Sequence, residues 1–330
     1  MTRRLADVAK YAGVSEATVS RVLNSRSGIS DSTRDAVLAT LDDSGYEQPV
    51  KLRGQRPRLV GLVLPDLLNP IFPVFADVVG GALVRKGFMP VLCTRTDGGV
   101  SEADYISMLL GQQVSGVIFA GGDYARADAD HNHYRVLLHR RLPVILMNAA
   151  TDGLGFSRVS ADDEVAVAKA YGHLRSLGHE RIGIIVGPAA HVPSQRKLQA
   201  FPGDPKLAEH AILSMEGGHF AASQMIEWGA TGLICASDML ALGAIRGARR
   251  NGLNVPDDVS VVGYDDSALM TCADPPLTTI RQPIEAMGQA AVSLLAAEAA
   301  DSPAAPHELL FDPELVVRRS TAPRRKSRPS

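Results

Sequence analysis

The stretch that most constrains the fold is Leu5 to Asn24, which reads LADVAKYAGVSEATVSRVLN. Its first half carries apolar residues at i, i+3, i+4 and i+7, which predicts a helix with one buried face. Gly13 follows, where a left-handed C-cap would end that helix. Ser15 is a good N-cap for a second helix, which would bury Val19 and Val22. The sequence therefore predicts two short helices joined by a tight turn.

Two helices joined in this way form a helix-turn-helix, whose second helix can lie in the DNA major groove. The outward face of that helix carries polar and small residues. Arg21 can offer a bidentate fork to guanine, and hydroxyl side chains suit phosphate oxygens. We expect DNA contacts from Ser15, Glu16, Ala17, Thr18, Ser20, Arg21 and Asn24. Geometry alone also permits a surface pair of helices with solvated polar residues.

The residues themselves are more specific than the geometry. The pattern DVAxxAGVSxxTVSRVLN is similar, without a gap, to the headpiece of the LacI family of bacterial transcription regulators. With a third predicted helix from Ser30, the headpiece is expected over residues 1–46, followed by a hinge over 47–58. In that family the hinge folds when two subunits meet on an operator and inserts a leucine into the minor groove. Leu52 corresponds to that leucine.

After the hinge, apolar strands alternate with helices, which predicts parallel sheets with helices on both faces. The run LVGLVL is continuous, as in a strand buried on both faces. The resemblance implies an α/β core of two doubly wound parallel-sheet lobes, periplasmic-binding-protein-like, over residues 59–320. The expected boundaries are about 59–155 and 282–310 for the first lobe, about 156–281 and 311–320 for the second, and 321–330 for a disordered basic tail.

Charge and composition narrow the function further. The chain has 330 residues and a net charge of −2. Residues 1–60 hold 10 Lys and Arg against 7 Asp and Glu, so a mildly basic head precedes an acidic body. Cys93, Cys235 and Cys272 are widely separated, which argues against a disulfide framework and a zinc site. Without a signal peptide or an apolar run of about 18 residues, we expect a cytoplasmic protein with no membrane segment.

Nothing in the sequence indicates an enzyme, a metal or a cofactor. Nucleophile-elbow, phosphate-loop and dinucleotide fingerprints are lacking. His131, His133 and His139 have no Cys or carboxylate at ligand spacing, so we interpret them as solvated loop residues. The acidic run 162–164 begins a predicted helix, where negative charge favours the helix dipole.

A buried sugar needs hydrogen-bonding groups for its hydroxyls and apolar surface for its ring faces. Asp265 ends the predicted strand SVVGYD and matches the ligand-binding aspartate of the family. The resemblance places a cation on the side of the cleft that faces Asp265, at Lys197 or Arg196. The lysine ammonium group is a point charge and lacks the planar, bidentate geometry of an arginine guanidinium. Other family cleft positions correspond to Asn148, Ser237, Asp238 and Gln282. For each of these four, a structural hydrogen bond is as good an interpretation as a ligand contact.

Several stretches, including VGLVLPDLLNPIFP and SVVGYDDSALMTCADPPLTTIRQPIEAMG, resemble the maltose-regulon repressors of actinobacteria. The resemblance implies a homodimeric repressor that binds double-stranded operator DNA. A small sugar, maltose or maltodextrin, would release the repressor from this DNA. Two alternatives stay open: a regulator of the same family that needs a corepressor, and a sugar-binding transport protein. The headpiece argues against the transport protein.

Overall fold

The computed structural model describes residues 9–23, 29–30, 32–33, 36–37, 40, 58–95, 98–300 and 305–324. The chain divides into two compact units, Met1–Pro57 and Arg58–Ser330. Asn24 and Leu52 lie outside the described residues. So does the predicted hinge at 47–58, except for Arg58, which begins the first strand of the core.

The described residues of the first unit include the end of the first predicted helix and the whole of the second. Residues 9–11 are helical, and Gly13 has the left-handed φ of +65° that the tight turn requires. Helix α1 spans Glu16–Leu23, and the Ser15 hydroxyl accepts a hydrogen bond from the Thr18 amide at 3.1 Å. The apolar side chains of Ala9, Val19, Val22 and Val37 pack into one small cluster. Both the turn and the N-cap are thus those predicted from the sequence.

The second unit is built on two six-stranded sheets. The first has the strand order β11-β5-β4-β3-β1-β2 and the second β12-β10-β9-β8-β6-β7. The strands are β1 Arg58–Leu64, β2 Phe88–Thr94, β3 Gly116–Phe119, β4 Val144–Met147, β5 Ser157–Ala161, β6 Ile182–Val186, β7 Ala208–His210, β8 Gly232–Cys235, β9 Ser260–Asp265, β10 Thr278–Arg281, β11 Glu308–Phe311 and β12 Glu314–Val316. Their pairing is parallel except where β12 runs antiparallel to β10.

Helices cover both faces of each sheet. They are α2 Ile71–Arg85, α3 Glu102–Gly111, α4 Asn132–His139, α5 Asp163–Ser176, α6 Val192–Ala200, α7 Met215–Glu227, α8 Asp238–Arg250 and α9 Ile284–Glu298. Buried residues of α2 and α9 pack on one face of the first sheet, and those of α3 and α4 on the other. In the second sheet α7 and α8 pack opposite α5 and α6. The doubly wound architecture predicted from the alternating pattern is therefore present.

The crossings between the lobes differ in position from the prediction. Strand β5 belongs to the first sheet, so the first crossing follows Ala161 rather than residue 155. Its sequence, SRVSA, contains no continuous apolar run. The hydroxyls of Ser157 and Ser160 are buried because they donate to Glu298 and Glu308, at 2.9 and 2.6 Å. The third crossing lies between β11 and β12, a few residues after the predicted position.

The C-terminal segment through residue 324 is ordered against the second lobe, which corrects the prediction that disorder begins at residue 321. The Ser320 side chain is fully buried and donates to the Val261 carbonyl at 2.6 Å. The Arg324 amide donates to the Leu177 carbonyl at 2.9 Å. Backbone partners on the lobe thus outweigh the polar composition of this stretch. Residues 325–330 lie outside the described residues.

Among the described residues, no helix has the length and apolar character needed to cross a membrane.

Candidate nucleic-acid and ligand sites

Helix α1 presents a polar face opposite its buried one. Glu16, Ala17 and Arg21 are exposed, whereas Val19 on the inner face is fully buried. The Ser15 hydroxyl, which caps the helix, also lies 2.9 Å from the Thr18 hydroxyl. Ser20 is half-buried beside Arg21. The face therefore offers one guanidinium and small neighbours that allow close approach to another surface.

The core contains a cleft where the carboxyl ends of both sets of strands meet, as expected for open parallel sheets. It encloses a cavity of about 120 Å³. Residues after β1, β3 and β4 line it from the first lobe, and residues after β6, β8 and β9 from the second. Its lining includes the aromatic rings of Phe72, Phe75, Tyr124 and Tyr264. The cleft thus combines apolar ring surface with polar loop residues.

Five predicted ligand-site residues line this one cavity although they come from distant parts of the chain. They are Asn148, Lys197, Ser237, Asp265 and Gln282. Asn148 has a φ of +67°, at the sharp turn where the chain leaves β4. The Ser237 hydroxyl also accepts from the Leu240 amide at 3.2 Å and so caps α8.

Asp265 is 6% exposed and lies at the end of β9. Burial raises its pKa well above the usual carboxyl value, and the neighbouring Asp238 raises it further. A hydrogen bond from Gln282 Nε2, at 2.7 Å, and one from Asn69 oppose this rise in pKa. Because Asn69 belongs to the first lobe, Asp265 is in contact with both sides of the cleft.

Lys197 supplies the positive charge of the cleft. Its side chain is buried, and its ammonium group donates to the carboxylate of Asp163. The same ammonium group lies 4.1 Å from the centre of the Tyr264 ring, within cation–π range. Lys197 and Asp163 form an ion pair at the cleft wall, so neither charge lies buried without an opposite one.

Two predicted ligand-site residues do not line the cavity. Arg196 points to the first lobe, where its guanidinium makes a bidentate contact with Glu308 at 2.8 and 3.0 Å. Asp238 is 1% exposed and accepts hydrogen bonds from Ser267 and Thr279. Burial raises the pKa of Asp238 to about 6. Arg196 therefore connects the lobes, and Asp238 takes the structural role that the sequence left open.

Sequence reasoning missed several residues that line the cavity, among them Asn69, Asp163, His191 and Ser194. His191 is the N-cap of α6, and its Nδ1 lies 2.9 Å from the Ser194 hydroxyl. Burial and, after it, the charges of Lys197 and Arg126 lower the pKa of His191 to about 4, so the ring is neutral at pH 7. Asn69 was detectable in principle, because it follows β1 at the same sheet edge as the others.

The prediction that His131, His133 and His139 are solvated is wrong for two of the three. His133 stacks on Tyr134 with ring centroids 4.2 Å apart, and its Nε2 lies 3.6 Å from the buried carboxylate of Glu102. His131 Nε2 lies 2.9 Å from the Asp123 carbonyl. Both rings are half-buried and have partners within the first lobe, which no local sequence pattern indicated. In the part of the chain that the structure describes, no cluster of His, Cys, Asp and Glu could hold a metal ion.

Comparison with known proteins matches both units. Residues 4–48 match the model of "bacterial regulatory proteins, lacI family", and residues 171–321 match a "periplasmic binding protein-like domain". The HTH-type transcriptional regulator reg1 of Streptomyces lividans is 49% identical, with 100% of both chains covered. The HTH-type transcriptional regulator MalR of Streptomyces coelicolor is 48% identical, again with 100% of both chains covered.

Two solved structures with a similar fold cover nearly the whole chain. A complex of the transcriptional regulator CelR with cellobiose has a TM-score of 0.71 at 29% identity, covering 96% of this chain and 99% of its own. A lac repressor dimer bound to operator and the anti-inducer ONPF has a TM-score of 0.72 at 28% identity, covering 98% and 100%.

Proposed function

The chain belongs to the lacI family of bacterial regulatory proteins and is a DNA-binding transcriptional regulator, and we propose that it is a homodimeric repressor of sugar-utilisation genes. In this proposal two headpieces bind a palindromic operator, and a small sugar, maltose or a maltodextrin, releases them from the DNA. The observation that carries the proposal is that one chain holds both an exposed helix-turn-helix face and an enclosed cleft with balanced charge. The site of action is the cytoplasm, where bacterial DNA lies.

The chemistry of the cleft supports a neutral polyhydroxylated ligand. The Lys197 ammonium group is already paired with the Asp163 carboxylate, so the positive charge of the cavity wall does not require an anionic ligand. Gln282 Oε1 is buried and has no hydrogen-bond partner among the described residues. A ligand hydroxyl at that oxygen would remove the cost of leaving it unsatisfied. Aromatic rings on the cavity wall suit the apolar faces of a sugar ring.

The identity of the sugar is proposed from the relatives. MalR, the relative from Streptomyces coelicolor, covers the whole chain at 48% identity. The cellobiose named in the CelR complex shows that a disaccharide is bound by a protein of the same fold. We assign hydrogen bonds with the sugar hydroxyls to Asp265, as an acceptor, and to Gln282, Asn148 and Ser237, with Lys197 as a donor from the second-lobe wall.

DNA recognition is assigned to the outward face of α1, with Arg21 as the side chain that reads a guanine in each half-site. The predicted contacts of Asn24 and of the hinge residue Leu52 stay predictions. The lac repressor structure contains a dimer on its operator. Exposed apolar side chains support a dimer here as well, including Met89 and Leu92 on the edge strand β2 and Phe220 on α7.

A titration of the full-length protein on DNA tests the proposal. DNA fragments selected by the protein from a random pool would carry a palindrome and bind one dimer, as measured by gel shift and sedimentation. Maltose should then release the DNA, because an effector shifts the equilibrium by its differential affinity for the two states. If a ligand tightens DNA binding instead, the protein is a corepressor-dependent regulator and the inducer proposal is wrong.

A further inference from the structure

The two lobes are joined by main chain beside the cavity, whose lining includes His191. The loop after β3 and the turn after β6 form a short antiparallel bridge between Arg126 and His191. The Ala127 amide donates to the Ala190 carbonyl at 2.8 Å. The bridge joins main chain to main chain, so it does not depend on which side chains these loops carry.

The first-lobe side of the bridge is firmly anchored. Glu102 is 4% exposed and accepts hydrogen bonds from the Asp123 amide, at 3.2 Å, and from the Tyr134 hydroxyl. The Tyr134 hydroxyl oxygen accepts from the Tyr124 amide at 2.8 Å. Gly122 has a φ of +149°, and a Cβ there would lie 2.2 Å from Glu102 Oε2. The loop is thus preorganised to offer its Ala127 amide.

The second-lobe side is also fixed. Gln195 Nε2 donates to the Ala189 carbonyl at 2.7 Å, and the His191 amide donates to the Pro188 carbonyl at 2.9 Å. His191 is the N-cap of α6, and Arg196 in the middle of the same helix contacts the first lobe again through its ion pair with Glu308. Helix α6 therefore contacts the first lobe at its N-cap and at its middle, with Lys197 on the cavity wall.

With the lobes joined in this way, the cavity measures about 120 Å³. Sites that enclose drug-sized ligands measure about 300–1,000 Å³. A cavity of this volume is too small for two sugar rings, so a disaccharide would require the cleft to widen. Separating the lobes far enough to widen the cavity would break the Arg126–His191 bridge, because the bridge joins one lobe directly to the other.

We propose that the Arg126–His191 bridge is a main-chain latch, closed in the operator-binding form and open in the form that binds a disaccharide effector. The inference rests on the proposed function and adds the direction of the conformational change. A closed latch then weakens effector binding, because the apparent Kd for the effector rises as the open form becomes less populated. By thermodynamic reciprocity, opening the latch also weakens operator binding.

A disulfide between the two loops tests the latch in the full-length protein. The Arg126–His191 bridge sets Ala127 opposite Ala190, with Cα atoms about 5.5 Å apart, inside the span of about 4.4–6.8 Å that a disulfide allows. Neither alanine lines the cavity. Ala127→Cys with Ala190→Cys, made on a Cys272→Ser background to remove the exposed native thiol, gives a lock whose reduced form is its own control.

We expect the oxidised lock to bind maltose at least tenfold more weakly than its reduced form by calorimetry, while operator affinity is kept or increased. Wild-type maltose affinity in the oxidised protein, or failure of the two thiols to crosslink without sugar, would overturn the latch. If wild type itself binds no maltose, the sugar assignment of the proposed function fails instead. The crosslinking rate and the operator affinity of the lock still decide the latch in that case.

A second variant should change maltose and operator affinity in the opposite directions to the disulfide lock. Ala127→Pro removes the amide donor, and Arg126, with φ −116° and ψ 117°, already has the conformation that a residue before proline needs. We expect a several-fold gain in maltose affinity and a several-fold loss of operator affinity. Ala127→Ser keeps the amide and should change neither. Weaker maltose binding in Ala127→Pro would assign the bridge to the effector-bound form and contradict the proposal.

Discussion

The exposed face of α1 and the cleft of the core are two recognition surfaces built in opposite ways. The α1 face comes from consecutive residues, is exposed, and needs only a short helix with a cap and a buried opposite side. The cleft comes from residues as far apart as Asn69 and Gln282, and its charges are buried and paired. Changes on α1 should therefore act locally on DNA binding, whereas changes in the cleft should act on both ligand binding and stability.

Breaking the buried ion pair should have the largest effect on stability. Lys197→Met leaves the Asp163 carboxylate buried without its partner, which costs about 3–5 kcal/mol. We expect a matching fall in the free energy of unfolding of the core, measured with urea. Lys206→Met removes an exposed lysine and should have almost no effect.

The double variant Lys197→Met with Asp163→Leu removes both charges and should recover part of the loss. If Lys197→Met is as stable as wild type, the ion pair between Lys197 and Asp163 does not form in solution, and the two charges are solvated rather than buried.

The pH dependence of the cleft has a defined sign. Burial lowers the pKa of His191 from 6.5 to about 4, so the folded protein binds fewer protons at this residue than the unfolded chain. The contribution to stability is complete above pH 6.5 and is lost as the pH falls from 6.5 towards 4. His191→Gln should reduce the fall in the free energy of unfolding between neutral and acidic pH by about 1–2 kcal/mol. Urea unfolding at pH 7 and at pH 4.5 measures it, and an unchanged difference between the two pH values would show that His191 is not buried.

Loss of the α1 cap should have the smallest effect and stay in the first unit. Ser15→Ala removes the acceptor for the Thr18 amide, which costs about 1 kcal/mol. We expect faster amide exchange at Thr18 and Val19, with no change in the unfolding of the core. Ser15→Asp keeps an acceptor and should restore slow exchange. Equal destabilisation of the core would contradict the local character of α1.

The same contrast explains what the sequence could predict. The turn, the cap and the buried face of α1 follow from short-range patterns, and so do the buried strands of the core. Asp265 was predictable because it ends an apolar strand. The direction of Arg196 was not, because it depends on Glu308, which lies 112 residues further along the chain. Strand β5 escaped prediction because its buried hydroxyls find partners only in α9 and β11.

The central claim is that DNA is read by α1 and the sugar by the cleft, so each function can be removed without the other. Two variants test it together, with operator release by maltose measured by fluorescence anisotropy. Arg21→Ala removes the guanine fork, and Asp265→Gly removes the cleft carboxylate. Glycine is chosen because Asp265 has a φ of +115°, which a residue with a side chain rarely adopts.

We expect Arg21→Ala to lose about 1–3 kcal/mol of operator affinity while binding maltose as wild type does. Asp265→Gly should bind operator like wild type but need at least about tenfold more maltose for release, since it loses a buried hydrogen-bonding partner. A maltose response of Asp265→Gly that matches wild type, or a loss of maltose affinity in Arg21→Ala, would contradict the division of the two functions.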